Sequence, residues 1–324
     1  MKTKLMVSLL TAFLGLILTF YLIRMMPGDI VHTWATKMVV EQGIPYENAY
    51  ELAKTHLNYD PTVPVYEQFF KYLGGVLQGN LGRSLYLRVP VSKIIVKALP
   101  WTLFIASLAL LCAFTTGVLI GLVITWNRKS WLDPIVTLYA AMAQSIPDFI
   151  IALILLLVFA INLRLFPLRG AYGVEVTPGF NLAFILDVLY HAVLPVAAFT
   201  LQTMGTWALA MKGSAMSVLS SDYITVARAK GLTNKRIIVR YLGKNAILPL
   251  ITTFAIALGT MFSGAMLIEF LFSYPGVGYF LTEALNNRDF PLMQGIFLVT
   301  TMAMIVFTLL ADLVYAKLDP RIKS

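Results

Sequence analysis

The sequence contains few charged residues and a single cysteine. Asp, Glu, Lys and Arg make up 13% of its 324 residues, whereas soluble domains average roughly 25%. The one cysteine, Cys112, lies in an apolar run, which excludes an intrachain disulfide and a metal site built from cysteines. Because 59% of the residues are hydrophobic and the mean hydropathy is +0.79, the composition indicates an integral membrane protein.

Sequence motifs of two common enzyme classes are also missing. The chain has no HExxH pattern, which would support a membrane zinc protease, and no GxxxxGK[ST] loop, which would bind ATP. Its three histidines, His32, His56 and His191, are far apart in the sequence. We therefore predict no catalytic site and no metal site in this chain, and we expect any ATPase that drives it to be a separate subunit.

Apolar runs long enough to cross a membrane recur along the chain, since a full crossing needs about 20 residues. We predict an all-α fold with six spans, at approximately residues 5–23, 100–126, 134–161, 191–211, 250–270 and 292–316. Lys2 and Lys4 precede the first run, and no signal-peptide cleavage pattern follows it. We interpret this run as a retained helix whose N-terminus is cytosolic.

The distribution of charge favours this orientation. The predicted cytosolic pieces carry 14 of the 25 Lys and Arg residues, but only 4 of the 16 Asp and Glu residues. An excess of cations on the cytosolic side is the bias expected of membrane proteins. The net charge of +9 is thus explained by topology, and we predict no binding to nucleic acid.

The predicted spans divide the chain into four parts. These are an N-terminal helix (1–26), an extracytoplasmic domain (27–99), a five-helix core (100–316) with a cytosolic segment at 212–249, and a cytosolic tail (317–324). Within the second part, the helix-like stretches Glu47–Leu57 and Val65–Leu77 are separated by Asp60-Pro61 and Pro64.

Two glycines in the second predicted span are spaced for helix packing. Gly117 and Gly121 form a small-xxx-small pair. Such a pair allows the backbones of two membrane helices to approach closely. We predict a packing role for both residues.

Three polar side chains in or beside the predicted spans are candidates for a translocation path. Asp148 follows Pro147, which interrupts the third span and is expected to kink it. Gln202 lies in the fourth span, and Glu269 lies at the outer end of the fifth. An ionisable residue in a membrane is costly and is by default a functional candidate. The competing interpretation of Asp148 is a place near an interface or a water-filled cavity, with a local partner.

The longest polar segment, Ser221 to Pro249, separates the fourth and fifth predicted spans. Ser221 or Asp222 can cap a short helix, Tyr223–Lys230, by accepting hydrogen bonds from free N–H groups. Gly231 can end that helix in a left-handed conformation. We therefore predict a compact, basic knob on the cytosolic side, with a shape suited to a cleft in another protein.

A second, amphipathic helix is predicted after Thr233, which can cap it. At helical spacing, one face carries Ile237, Ile238, Tyr241 and Leu242, and the other carries Lys235, Arg236, Arg240 and Lys244. A helix of this kind lies at a membrane surface with its cations in water.

This segment resembles a known motif. Its pattern Y-I-x-x-A-x-A-K-G-L, followed by N-A-x-x-P, is similar to the EAA coupling loop of ABC-importer permeases, and more narrowly to the dipeptide, oligopeptide and nickel branch. Thr225 stands where the general motif has Glu. Further matches to the branch are P-G-D at 27–29, G-N-L-G-R-S at 79–84 with Pro90-Val91, S-I-P-D-F at 145–149, P-G-V-G at 275–278, R-D-F-P at 288–291 and L-D-P-R-I at 318–322.

The resemblance implies a fold, a mechanism and partners. It implies the type I ABC-importer permease fold, with an external domain between helices 1 and 2, and transport by alternating access. The family combines two permeases, two cytosolic ATPases that bind ATP and Mg, and an extracytoplasmic binding protein, in a bacterial or archaeal inner membrane. By this resemblance the residues coupled to the ATPase are Asp222, Tyr223, Ala227, Ala229, Lys230, Gly231 and Leu232.

The resemblance leaves the substrate open among peptides, nickel chelates and oligosaccharides. We predict peptides, since no cluster of His, Met and Cys marks a metal path. Two other classes explain less. A channel would account for the spans but not for the cytosolic knob. An intramembrane protease would need a nucleophile or paired aspartates, but Ser263-Gly264 lacks the GxSxG context and Asp148 and Asp312 are predicted at different depths.

Overall fold

The computed structural model describes residues 2–25, 30–57, 63–127, 131–260 and 266–318. Within these ranges every regular element is a helix, and one isolated antiparallel bridge pairs Arg83 with Pro90. Several sequence motifs lie outside the described residues, namely Pro27-Gly28-Asp29, Asp60-Pro61, Arg128-Lys129, Ser263-Gly264 and Asp319 to Ile322.

Four helices form most of the chain before the second predicted span. They are α1 (Lys2–Arg24), α2 (Ile30–Gln42), α3 (Tyr46–Leu57) and α4 (Val65–Leu77). The two helical stretches predicted here are confirmed as α3 and α4. Helix α2 was not predicted because it is rich in β-branched residues, which have lower helix propensity. Burial of its Val31, Trp34 and Ala35 stabilises it instead.

Two helices are longer than the apolar runs that predicted them. Helix α5 (Val91–Trp126) starts directly after Pro90 and continues through Pro100, which was the predicted start of the span. Helix α8 (Leu182–Leu219), which follows α6 and α7 in the chain, extends the predicted fourth span at both ends and reaches into the segment at 212–249. Helix boundaries thus extend beyond hydropathy boundaries, because polar residues also complete the last turns of a helix.

The third predicted span is broken rather than kinked. Helix α6 (Leu132–Ser145) ends before Pro147, and α7 (Asp148–Leu155) begins after it and continues into a π-helical turn, Leu156–Asn162. The two halves are bent by 101°. Proline has no N–H to donate and clashes with the preceding turn, so the helix restarts in a new direction.

The remaining helices follow the polar segment. They are α9 (Asp222–Ala229), α10 (Asn234–Arg236), a π-helical turn (Ile237–Gly243), α11 (Lys244–Ala246), α12 (Leu248–Thr260), α13 (Met266–Leu271), α14 (Val277–Asn286) and α15 (Phe290–Leu318). The predicted fifth span therefore corresponds to α12 and α13. Helix α14 lies between the predicted fifth and sixth spans.

The described helices include three that are long and apolar enough to cross a membrane alone, in α5, α8 and α15. Two bent pairs, 132–162 and 234–258, raise that number to five if each pair is one span. Helix α1 contains a shorter apolar stretch, Leu10–Ile23. The protein is thus an all-helical membrane protein with three to five candidate spans.

Contacts divide the chain into two compact units. The first unit comprises Met1–Trp101 with Pro275–Ile305, and the second comprises Thr102–Tyr274 with Val306–Ser324. Leu16, Phe20 and Phe69 form a buried cluster in the first unit. The second unit has a larger core, where α5 and α8 meet residues 242–250. Its buried members are Leu110, Ala113, Val118, Trp207, Met211, Ala215, Leu242, Ala246 and Leu250.

Gly117 and Gly121 lie where α5 meets α8 in the second unit. A Cβ atom on Gly117 would lie 2.5 Å from the Cβ of Trp207, and one on Gly121 would lie 2.5 Å from the carbonyl oxygen of Ala208. These separations are too short for a side chain at either position. The predicted packing role of both glycines is confirmed.

Candidate functional site

The short helix predicted within segment 221–249 forms as α9. Ser221 occupies its N-cap position with extended backbone, but its hydroxyl makes no capping hydrogen bond. The prediction that a Ser221 or Asp222 side chain satisfies the first N–H groups was therefore wrong for Ser221. The carbonyl oxygen of Ser221 accepts from the N–H of Ile224 at 3.0 Å. Asp222 stands in the first turn, where its carboxylate interacts favourably with the helix dipole.

Gly231 ends α9 in the left-handed conformation, as predicted, with φ of +70°. Its N–H donates to the carbonyl oxygen of Arg228 at 2.9 Å, and the N–H of Leu232 donates to that of Ala227 at 3.3 Å. This pair of bonds is the Schellman motif, which satisfies carbonyl groups at the end of a helix. The helix therefore ends through backbone hydrogen bonds that the left-handed glycine allows.

One face of α9 is buried against the π-helical turn that follows it. Ile224, Ala227 and Ile237 are each at most 2% exposed and form one cluster, against which Leu232 and Trp126 pack. The small side chain of Ala227 lets the two elements approach. The opposite face is exposed and carries Asp222, Tyr223, Ala229, Lys230 and Gly231. We call residues 221–232 the α9 knob.

The seven predicted coupling residues thus divide into two groups. Ala227 and Leu232 hold the α9 knob to the rest of the second unit, whereas the other five face outward. Tyr223 and Val226 are 40% and 50% exposed and lie one turn apart, so the outward face includes apolar surface. Sequence reasoning did not single out Val226, although its i+3 spacing from Tyr223 predicts a shared face.

The second amphipathic helix forms with an irregular interior. The predicted apolar face is confirmed, since Ile237 and Leu242 are buried and Ile238 and Tyr241 are half-buried. The predicted polar face is also confirmed, with Lys235, Arg236, Arg240 and Lys244 exposed. Thr233 is at the N-cap position but makes no side-chain capping bond. A π-helical turn interrupts the helix, which sequence periodicity did not predict.

Two cations, Arg228 in the α9 knob and Lys212 in α8, contact other side chains of the second unit. The guanidinium of Arg228 lies 5.5 Å from the ring centroid of Trp126. The Nζ of Lys212 lies 2.6 Å from an Oδ1 of Asp133 and so links α8 to the first turn of α6. The first contact ties the α9 knob to the end of α5, and the second ties α8 to α6.

The three translocation-path candidates lie on helices that pack together, because α7 contacts both α8 and α13. Asp148 is the first residue of α7, half-buried, and its Oδ1 accepts from the N–H of Phe149 at 2.8 Å. This local partner matches the competing interpretation of Asp148. Gln202 is half-buried on α8, whereas Glu269 on α13 is 1% exposed. Of the three, Glu269 is therefore enclosed by protein.

A site that sequence reasoning missed lies in the first unit, around Asp289. This residue is 0% exposed and precedes α15. Its Oδ1 accepts from the N–H of Leu292 at 3.2 Å, and its Oδ2 accepts from the hydroxyl of Ser84 at 2.5 Å and from the N–H of Tyr86 at 3.1 Å. Asp289 therefore caps a helix and binds a distant loop at once.

The Asp289 junction, as we call these four residues, brings together two motifs that are remote in sequence. Ser84 belongs to the G-N-L-G-R-S string and Asp289 to the R-D-F-P string. An acid just before an apolar run is a signal for an N-cap, so the capping role of Asp289 could have been found in the sequence. No sequence signal indicated that Asp289 bonds to Ser84, which is 205 positions away.

Comparisons with known proteins agree with the helical architecture. The family described as "Binding-protein-dependent transport system inner membrane component" matches residues 117–324. The chain is 34% identical to the di/tripeptide transport system permease protein DppB of Pseudomonas aeruginosa, over 97% of this chain and 96% of that one. It is 33% identical to the dipeptide transport system permease protein DppB of Escherichia coli K12, over 96% and 95% respectively.

A solved structure shares the fold. The MetNI methionine ABC transporter, in an inward-facing conformation, aligns with a TM-score of 0.55 over 70% of this chain and 96% of that one. The sequence identity is 14%, so this likeness concerns the fold alone. The predicted type I importer architecture is supported at that level.

Proposed function

Since the chain belongs to the family of binding-protein-dependent transport system inner membrane components, we propose that it forms half of the path of an importer for di- and oligopeptides. The chain is the permease, and ATP is bound and hydrolysed by partner subunits. The observation that carries the peptide assignment is the 34% identity to a di/tripeptide permease, which extends over 97% of this chain. The alignment therefore also covers most of the chain before residue 117, where the family match begins.

The proposed complex contains a second, homologous permease, two cytosolic ATPases and an extracytoplasmic binding protein in a bacterial or archaeal inner membrane. We propose six crossings with both termini in the cytosol. The three long apolar helices, the two bent pairs and the apolar stretch of α1 support this number. Segment 27–99 would then lie on the outer side and the tail, 317–324, in the cytosol.

We propose that the α9 knob docks in a cleft of an ATPase and transmits its motion. The outward face with Tyr223, Val226 and Lys230 provides a small surface with apolar and basic parts. The Schellman end and the buried Ala227 fix the knob to the second unit. A rigid attachment is what coupling requires, because a hinge would absorb the movement of the ATPase.

A reconstituted transporter tests the peptide assignment. The chain, its partner subunits and the cognate binding protein would be placed in liposomes with ATP inside. We expect uptake of labelled di- and tripeptides that unlabelled peptides suppress. Uptake of nickel chelates or oligosaccharides without peptide uptake would overturn the assignment, and passage of solutes without ATP would instead indicate a channel.

The Gly231→Pro variant tests the coupling role in the same system. Proline cannot adopt a φ of +70° and has no N–H to donate to Arg228. We expect the variant to insert in the membrane but to lose substrate-stimulated ATP hydrolysis. Normal stimulation would show that the α9 knob is not the coupling element.

Asp148, Gln202 and Glu269 remain proposed contributors to the translocation path. Their placement on packed helices of the second unit supports this for Asp148 and Gln202, which are partly exposed. We expect Gln202→Ala to change the transport rates of different peptides unequally, as a path-lining residue would. If the variant changed the transport rates of all peptides by the same factor, or left them unchanged, Gln202 would not line the path.

A further inference from the structure

Helix α4 contacts the side of α1 rather than its end. The ring centroid of Phe69 is 5.2 Å from that of Phe20, 6.4 Å from that of Tyr21 and 6.5 Å from that of Phe13. A single α4 side chain therefore contacts two turns of α1. Both helices belong to the first unit.

The depth of this contact follows from helix geometry. With a rise of 1.5 Å per residue, Phe13 lies about 15 Å below Ile23, the end of the apolar run of α1. The same cluster includes Leu298, which lies about 12 Å along α15 from its first residue, Phe290, at the same rise. Since an apolar bilayer core is roughly 30 Å thick, the contact lies in its outer half when α1 and α15 both cross it.

The helix α4 has three distinct faces. Phe69, Leu73 and Val76 pack toward α1 and α15. Tyr66, Phe70 and Leu77, at i, i+4 and i+11, share a second face and are 58%, 65% and 80% exposed. The third face carries Glu67, Lys71 and Gln78, which are also exposed. The apolar stripe is thus wider than its contact with the two spans.

Exposed apolar side chains of α1 also lie beside α4. Phe13 and Tyr21 of α1, which contact Phe69, are themselves 46% and 39% exposed. On a membrane-crossing helix, such side chains face acyl chains. A helix with a broad apolar stripe and a polar opposite face is the form that lies in the plane of a membrane interface.

We propose that α4 is an interfacial helix whose apolar face, Tyr66, Phe70 and Leu77, is immersed among the acyl chains of the outer leaflet. Its polar face, with Glu67 and Lys71, then lies toward the headgroups and the outer solution. The helix anchors the outer segment of the chain at a fixed depth beside α1. This inference rests on the proposed orientation, in which α1 crosses the membrane.

Site-directed spin labelling of the assembled transporter in liposomes tests the proposal. Cys112→Ala removes the native cysteine, and single cysteines then carry the label at Phe70→Cys or, as a matched control on the same helix, Glu67→Cys. Collisions with oxygen, which partitions into acyl chains, are compared with collisions with a water-soluble nickel complex. We expect a several-fold higher ratio of oxygen to nickel collisions at position 70 than at position 67.

A third label, at Leu14→Cys in α1, separates this proposal from the orientation on which it rests. Leu14 is 55% exposed on α1. An acyl-chain signature at position 14 with water exposure at position 70 would overturn the interfacial placement alone. Protection of position 70 from both reagents would also overturn it, since a protein surface would then cover the face. Absence of the signature at position 14 would overturn the proposed crossing of α1 together with the proposal.

Discussion

The α9 knob and the Asp289 junction both carry motifs of the same family, yet they use motif residues in opposite ways. In the knob, backbone groups of Arg228 and Gly231 make the structural hydrogen bonds and leave side chains such as Tyr223 on the surface. In the junction, the buried carboxylate of Asp289 makes the bonds to Ser84. We therefore expect exposed motif residues to serve a partner, whereas buried ones hold the fold of the chain itself.

The largest effect on stability is expected at the junction, with Asp289→Ala. The variant loses an N-cap and leaves the buried Ser84 hydroxyl and the part-buried Tyr86 N–H without their acceptor. The combined cost is about 3–5 kcal/mol. The check is the thermal unfolding midpoint of the purified transporter in detergent, together with the amount of chain found in the membrane.

Asp289→Asn is the matched control for this variant. Its carbonyl oxygen retains one acceptor and the shape of the side chain, so we expect a smaller loss of stability. Equal losses for both variants would show that the negative charge, rather than the geometry of the cap, holds the junction. An unchanged unfolding midpoint for Asp289→Ala would show that the side-chain bonds of Asp289 do not stabilise the junction, which would contradict the difference drawn between the junction and the α9 knob.

The next largest effect is expected inside the knob, with Ala227→Leu. Ala227 is 2% exposed between α9 and the following π-helical turn, and overfilling a packed site costs about 1–3 kcal/mol. Ala229→Leu, on the exposed side of the same helix, is the control and should unfold as the parent does. If Ala229→Leu lowered the thermal unfolding midpoint and Ala227→Leu did not, the buried face of α9 would be misidentified.

A smaller effect is expected for Gly231→Ala. No atom lies within 4 Å of an added Cβ atom, so the cost arises from the left-handed backbone and is about 1–2 kcal/mol. Gly231→Asn should cost less, because asparagine adopts this conformation more readily. Unfolding midpoints that place asparagine below alanine would contradict the role of the left-handed turn.

The smallest effect on stability and the clearest effect on coupling are expected for Tyr223→Ala. Substitutions of exposed residues usually change stability by less than about 0.5 kcal/mol, whereas loss of the ring removes apolar area from the proposed docking surface. Substrate-stimulated ATP hydrolysis should fall, and Tyr223→Phe should retain it. Val239→Ala, at an exposed apolar position outside α9, should leave hydrolysis unchanged.

The sequence was sufficient for features that depend on neighbouring residues. The apolar runs predicted a helical membrane protein, and Gly231 predicted the end of α9. The alternation of Ile237 and Leu242 with Lys235 and Arg240 predicted the two faces of the next helix. The reason is local: side-chain periodicity and the φ preference of glycine act within a few turns.

Contacts between remote segments were decided only by the tertiary structure. The partnership of Ser84 with Asp289 joins two loops that are 205 positions apart. Pro147 predicts an interruption locally, but the size of the bend, 101°, and the placement of α4 beside Phe13 and Phe20 of α1 are features of the tertiary structure. An acid before an apolar run is a cap signal that was available at Asp289, but no local pattern states which distant residue Asp289 or Phe69 meets.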